Sequence, residues 1–228
     1  MNERVIVALD VARHEDATRL VAQLGEATGF YKVGLQLLTA AGPAVVRELV
    51  EAGKQVFLDL KLHEIPNSVA GAVTAAGELG VTMVTVHASG GAAVLNAAVQ
   101  AARPFPQLRV LALTVITSLR DAELAEVGIP GGVDAQVRRL AALAAAADCD
   151  GVVASAREAA MLRGVLPSGS LIVTAGTQLR GESATDQARV ASPADALRAG
   201  ATHVVIGRSI TQAADPRAVF EQITQSLR

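Results

Sequence analysis

The chain has 228 residues, 51% of them hydrophobic and 18% charged, which fits one barrel or sandwich domain over residues 1–228 better than two packed modules. A formal net charge of -2 with 2% aromatics and no basic block argues against nucleic acid, which calls for a concentrated Lys/Arg face and stacking aromatics. No apolar run reaches membrane-spanning length or forms a signal-peptide core, so a cytosolic enzyme without a membrane partner is the default expectation.

In chain order, short runs rich in Val, Ile and Leu alternate with Ala-rich helical patterns. The predicted strands run from Val5 to Asp10, Phe30 to Gly34, Gln55 to Lys61, Met83 to Ala88, Arg109 to Ile116, Gly151 to Ala154, Leu171 to Ala175 and His203 to Gly207. Each run is nearly continuous in apolar character, as for parallel strands buried on both faces. Eight such runs in βα order predict an α/β protein, a single-domain (β/α)8 TIM barrel. Between them, Val69, Val73, Ala76 and Leu79 share one helix face, as do Val137, Leu140 and Ala144 after a predicted N-cap at Asp134. Cys149 lies between Asp148 and Asp150 with no second thiol, which excludes an intramolecular disulfide or a cysteine-based metal site and leaves a small near-core residue. Later, Ser192-Pro193-Ala194-Asp195 and Asp215-Pro216 combine caps with first-turn prolines and predict the helices flanking strand eight. The longest irregular stretches, Thr117 to Gly132 and Gly176 to Arg189, follow strands five and seven, on the face where such barrels build active sites, and are candidate lids.

In Phe57-Leu58-Asp59-Leu60-Lys61-Leu62 a period of two puts Asp59 and Lys61 on the barrel side of the third strand, with Leu58 and Leu60 toward the helices. Charges pointing at a barrel axis are costly unless paired, solvated or ligated. Asp10 and Lys32 place further charges at the ends of strands one and two. A purely structural ion pair is one alternative. For Asp10 alone the rival is helix capping, and for Lys32 alone a rim charge reaching water. Flanking carboxylates favour the ammonium form of Lys61, which suits a general acid that protonates a carbanion after a carboxylate leaves as carbon dioxide. A Schiff-base lysine, which needs a neutral amine, is the competing chemistry.

Val204-Val205-Ile206-Gly207-Arg208-Ser209 is a buried strand ending in Gly-Arg. Gly207 lets backbone N–H groups approach an anion, Arg208 adds a forked cation suited to phosphate, and a short helix starting near Ser209 would add its dipole. Its place after strand eight favours a phosphate site over a solvated strand exit. Gly176, after strand seven, turns toward the same spot.

With these residues in place, the sequence resembles the bacterial branch of the orotidine 5′-phosphate decarboxylase family over nearly its full length. The anchors are Leu9-Asp10, Lys32-Val33-Gly34, Asp59-Leu60-Lys61-Leu62-His63-Glu64-Ile65-Pro66-Asn67-Ser68, Thr114-Val115-Ile116-Thr117-Ser118, Asp186-Gln187 with Arg189, and Ile206-Gly207-Arg208. The Asp-x-Lys-x-His-x-Ile-Pro-Asn segment is the most specific. The resemblance implies conversion of orotidine 5′-monophosphate to uridine 5′-monophosphate and carbon dioxide without metal or organic cofactor. It implies that Lys61 protonates C6, Asp59 lies near the leaving carboxylate, Lys32 links the acids to a ribose hydroxyl, and Asp10 binds ribose. Thr117 or Ser118 then reads the pyrimidine, Gln187 bridges base and phosphate, and Gly207 with Arg208 holds the phosphate. Asn67 and Ser68 join the substrate site through the same motif. A homodimer is also implied, because the family's acid three residues after the lysine completes the partner's site. Here that acid is Glu64 instead of the usual aspartate, and Ser68 stands for a usual threonine. After strand seven the usual Pro-Gly-Ile-Arg reads Ala175-Gly176-Thr177-Gln178, so Gln178 occupies the place of a phosphate-side arginine that Arg180 can replace.

Among the histidines, His14 is expected exposed in the first loop, His87 and His203 in local hydrogen bonds, and His63 only as part of the motif. No pair has ligand spacing on one helix face, so no metal site is expected. Two rivals remain: a sugar-phosphate decarboxylase or aldolase of the same suprafamily, which places a metal-binding acid where this chain has Lys32, and a catalytically silent phosphate-binding barrel.

Overall fold

Strand alternation decides which side chains reach the barrel axis. In the computed structural model, which describes residues 4–177 and 191–227, eight parallel strands close into one barrel in chain order. They are β1 (Val5–Ala8), β2 (Phe30–Gly34), β3 (Gln55–Leu62), β4 (Met83–His87), β5 (Arg109–Leu113), β6 (Gly151–Ser155), β7 (Leu171–Ala175) and β8 (His203–Ile206). The helices are α1 (His14–Leu24), α2 (Leu35–Ala41), α3 (Ala44–Glu51), α4 (Pro66–Glu78), α5 (Gly91–Ala102), α6 (Asp121–Glu126), α7 (Gly132–Ala146), α8 (Ala159–Arg163), α9 (Pro193–Arg198), α10 (Arg208–Thr211) and α11 (Pro216–Ser226). The single-domain (β/α)8 reading holds.

Two apolar clusters follow from the period of two. Ile6, Ala8, Phe30, Phe57, Met83, Leu111, Leu113, Val153, Val173 and Val205 pack inside the barrel. Their neighbours, among them Val7, Tyr31, Val33, Leu58, Val84, Val86 and Val204, pack outward with the helices. The interior is therefore sealed by side chains in its lower half, and polar residues begin one inward step higher: Asp10, Lys32, Asp59 and Thr85. That step places the chemistry at the C-terminal ends of the strands, where the predicted Leu58 and Leu60 do face the helices.

Several boundaries differ from the sequence reading. β1, β5 and β8 stop short of Asp10, Ile116 and Gly207 because the chain leaves the ladder there to build the upper loops. The stretch from Thr117 to Gly132 is not wholly irregular. It contains α6, whose start is held by the Glu123 carboxylate accepting from the Arg120 backbone N–H at 2.9 Å and from its guanidinium and whose Leu124 is buried, a helix too short to show a clear period. Asp134 does not cap α7. The helix begins earlier, after Gly131 at φ 94, and Asp121 supplies the cap by accepting from the Val133 N–H at 2.8 Å. His14 is not in a loop but opens α1, with Nε2 2.7 Å from Glu48 of α3. Ser192 and Asp215 cap α9 and α11 as predicted, accepting from the N–H groups of Asp195 and Ala218. Cys149 packs against the outer core, and burial beside Asp150 and Asp148 pushes its thiol up to about 12.

The closure between β6 and β7 depends on a missing side chain. Gly151 pairs with Leu171, and a Cβ at that position would sit 2.1 Å from the Leu171 carbonyl oxygen. Backbone on both sides cannot yield as a side chain could. Gly151→Ala is therefore expected to cost about 1–3 kcal/mol or more by overpacking, seen as a lowered urea midpoint; an unchanged midpoint would show that the barrel relaxes there.

Candidate active site

Inward positions of β2 and β3, with Asp10 just past the end of β1, bring four charges into one line. Lys32, two residues above Phe30 on β2, is buried; its Nζ donates to Asp10 Oδ1 at 2.8 Å and lies 3.8 Å from Asp59 Oδ2. Lys61 Nζ donates to the same Asp59 oxygen at 2.8 Å. The order is Asp10, Lys32, Asp59, Lys61, with signs alternating. Lys32 is thus no rim charge: its side chain is 10% exposed and that of Asp59 9%, so each needs the other. Removing one member of such a pair typically costs about 3–5 kcal/mol because the survivor is left buried and uncompensated. Asp10 does not cap α1 either, whose N-cap is Arg13; it faces Lys32. Gly34 makes room for the cluster, since a Cβ there would lie 3.0 Å from Lys32 Nζ and 3.1 Å from Asp10 Oδ1.

The third strand reaches this arrangement by breaking its own regularity. Leu58 pairs with Val84 and Leu62 with Val86, so β3 spends four steps where β4 spends two. Inside this bulge Lys61 adopts φ 52, the left-handed region that costs a non-glycine residue about 1–3 kcal/mol. Thr85, fully buried on β4, faces the irregularity. Its Oγ1 accepts from the Lys61 N–H at 2.8 Å and donates to Asp59 Oδ1 at 3.0 Å. Sequence reasoning missed Thr85, although its position between Met83 and His87 on one face of β4 was the available signal.

Next to Lys61, the rings of His63 and His87 stack with centroids 5.0 Å apart. Ser89 turns back on His87, its Oγ 2.6 Å and its N–H 3.3 Å from Nδ1, which is the local role expected. His203 likewise meets Thr202 Oγ1 at 2.9 Å. Burial, with His63 and Lys61 adding positive neighbours, pushes His87 down from 6.5 to about 4.

The remaining candidates divide. Thr117 is buried and Ser118 exposed beyond the end of β5. Glu64, Asn67 and Ser68 are exposed at the start of α4, and no ion pair between Glu64 and Lys61 forms within this chain among the described residues. At the opposite side of the mouth, Gly176 turns at φ 73 and Thr177 donates to the Val205 carbonyl at 2.7 Å, tying the exit of β7 to β8. Gly207 precedes α10, which begins at Arg208, so the Gly-Arg pair and the β7 exit lie at the same end of the barrel. Gln178, Arg180, Asp186, Gln187 and Arg189 lie outside the described residues. Among the described residues no group of three or more His, Cys, Asp or Glu side chains could hold a metal ion, and no helix is long and apolar enough to cross a membrane.

Comparison with known proteins gives a consistent pattern. Residues 3–223 match the model of the family described as orotidine 5′-phosphate decarboxylase / HUMPS. An orotidine 5′-phosphate decarboxylase of Anaeromyxobacter sp. (strain K) is 45% identical over 99% of each chain. One from Moorella thermoacetica is 47% identical over 99% of this chain and 92% of its own. The crystal structure of orotidine 5′-phosphate decarboxylase from Lactobacillus acidophilus superposes with a TM-score of 0.87 at 33% identity, covering 98% of both chains.

The His87 environment makes a signed prediction about stability. Unfolded His87 takes up a proton near 6.5 and the folded form only near about 4, so between these values the unfolded state binds more protons and stability falls as pH drops. In urea titrations across that window His87→Asn is expected to lose stability less steeply than the parent; identical slopes would assign the acid sensitivity elsewhere.

Proposed function

The chain belongs to the orotidine 5′-phosphate decarboxylase / HUMPS family, and from that premise we propose that its buried charge array drives a cofactor-independent decarboxylation in which Lys61 is the proton donor. The reaction converts orotidine 5′-monophosphate to uridine 5′-monophosphate and carbon dioxide, a step of pyrimidine nucleotide biosynthesis. The observation that carries the Lys61 assignment is the ammonium held 2.8 Å from Asp59, with Lys32 on the far side of the same carboxylate.

The chemistry balances on these groups. The bond from C6 to the carboxylate breaks, carbon dioxide leaves, and the electron pair stays on C6, where the Lys61 ammonium delivers a proton. Asp59, fixed near the departing carboxylate, disfavours the charge that is lost and stays paired with Lys32 once Lys61 is a neutral amine, which takes up a proton from solvent to restore the ammonium. Lys32 and Asp10 bind ribose hydroxyls, and Thr117 or Ser118 reads the base. Gly207 and Arg208 hold the phosphate with Gln178, Arg180 and Gln187, and this remote binding favours closure over the reacting carbon. Where the metal-dependent rival needs an acid, this chain has Lys32, a buried cation already paired with two carboxylates.

Glu64 fits a second subunit. It is exposed beside Ile65, which is 63% exposed, while Leu35 at the end of β2 is 58% exposed. A symmetric homodimer covering these apolar residues would carry Glu64 toward the partner's Lys61 and Asn67 and Ser68 toward its substrate. The enzyme works in the cytoplasm on a small molecule, with neither nucleic acid nor membrane as partner.

The test is loss of the orotate chromophore from orotidine 5′-monophosphate in the presence of a chelator. The parent is expected to turn over unchanged, and Lys61→Ala to make no product while still binding the nucleotide. Mixing Lys61→Ala with Glu64→Ala protomers is expected to restore roughly a quarter of the parent rate, since half the dimers regain one intact site. No turnover by the parent overturns the function, chelator sensitivity favours the metal-dependent rival, and parent-like Lys61→Ala removes the proton-donor role.

A further inference from the structure

We infer that Thr85 is a positioning residue for the reaction: its hydroxyl holds the Lys61 backbone and the Asp59 carboxylate in the one geometry that aims the Lys61 ammonium. The inference rests on the decarboxylase reading and adds a residue to it.

Hydrogen-bond polarity is fixed by the partners. The Lys61 N–H can only donate, so Thr85 Oγ1 accepts there at 2.8 Å. A threonine hydroxyl has a single proton, and the carboxylate of Asp59 at 3.0 Å can only accept it. One oxygen therefore reads both ends of a three-residue segment. It binds the main chain at the strained residue, φ 52, and the side chain of the acid two residues earlier. The other Asp59 oxygen is left for Lys61 Nζ at 2.8 Å and Lys32 Nζ at 3.8 Å. Without Thr85, Oδ1 would lose its donor and the carboxylate could rotate about its side-chain bonds.

The register explains why a side chain is needed there. Between the Leu58–Val84 and Leu62–Val86 pairs, β3 carries two more residues than β4, so the ladder cannot serve every backbone group. The Lys61 N–H, in a bulge with no β4 carbonyl opposite, is satisfied by the Thr85 hydroxyl instead. Thr85 itself stays in register with Leu111 on β5 and is fully buried. The hydroxyl thus stands on a regular strand and fixes an irregular one.

The test compares Thr85→Val, which keeps shape and loses the hydroxyl, with Thr85→Ser, which keeps it, on orotidine 5′-monophosphate. Thr85→Val is expected to lower kcat roughly 10- to 100-fold, the loss corresponding to a hydrogen bond to a charged group, with KM and uridine 5′-monophosphate binding within about threefold. Thr85→Ser is expected to restore kcat to near the parent value. Melting curves verify folding, and if Thr85→Val does not fold, the comparison of Thr85→Ala with Thr85→Ser replaces it. Absence of turnover in the parent overturns the decarboxylase reading itself. Turnover in the parent with an equal kcat in the folded hydroxyl-free variant, or a loss that serine fails to rescue, overturns the role of Thr85 alone.

Discussion

Four charges in a row at the mouth of an otherwise apolar barrel set the terms for everything around them. Lys32 and Asp59 are too buried to keep full hydration, and burying an unpaired charge is prohibitive. Each is therefore flanked by opposite charge: Asp10 on one side of Lys32, Lys61 on the far side of Asp59. The arrangement explains Gly34, whose missing side chain leaves room beside Lys32 and Asp10. It also explains why the apolar filling ends one layer lower, at Phe30, Phe57 and Met83. Three of the four charges, Lys32, Asp59 and Lys61, are held by strands, which places them more reproducibly than loops could.

The same constraint accounts for the irregularity in β3. A regular strand would already put residues 59 and 61 on one face, but the bulge and the left-handed backbone at Lys61 change how the lysine leaves the strand. Such strain persists only where surroundings over-determine it. The Thr85 hydroxyl and the ion pair to Asp59 supply that determination from two directions. Stability is spent on a fixed ammonium, which is the group the proposed reaction requires in place before the carbanion forms.

Much of this was legible in the amino-acid order. The eight apolar runs gave the barrel, and simple alternation put Asp59 and Lys61 inside it, because burial on both faces leaves only the period of two to sort inward from outward. The depth of Lys32 was less legible, since a lysine at a strand end equally suits a solvated rim. The bulge was invisible: nothing in Asp59-Leu60-Lys61 signals a positive φ, which comes from the register of β3 against β4. Thr85 was passed over because a lone threonine in a β-rich run is ordinary until its partners are known. Helix α6 escaped because its six residues are held by the Arg120–Glu123 cap and Leu124 rather than by a repeating face.

In the proposed reaction Lys61 transfers a proton to C6, and microscopic reversibility offers a direct measurement of that step separate from carboxylate loss. Incubating uridine 5′-monophosphate with the protein in D2O and following the C6 proton by NMR isolates that transfer. The parent is predicted to exchange this proton for deuterium well above the uncatalysed background, and Lys61→Ala, with the nucleotide bound, not to do so. Exchange by folded Lys61→Ala at the parent rate would contradict the role assigned to the charge array.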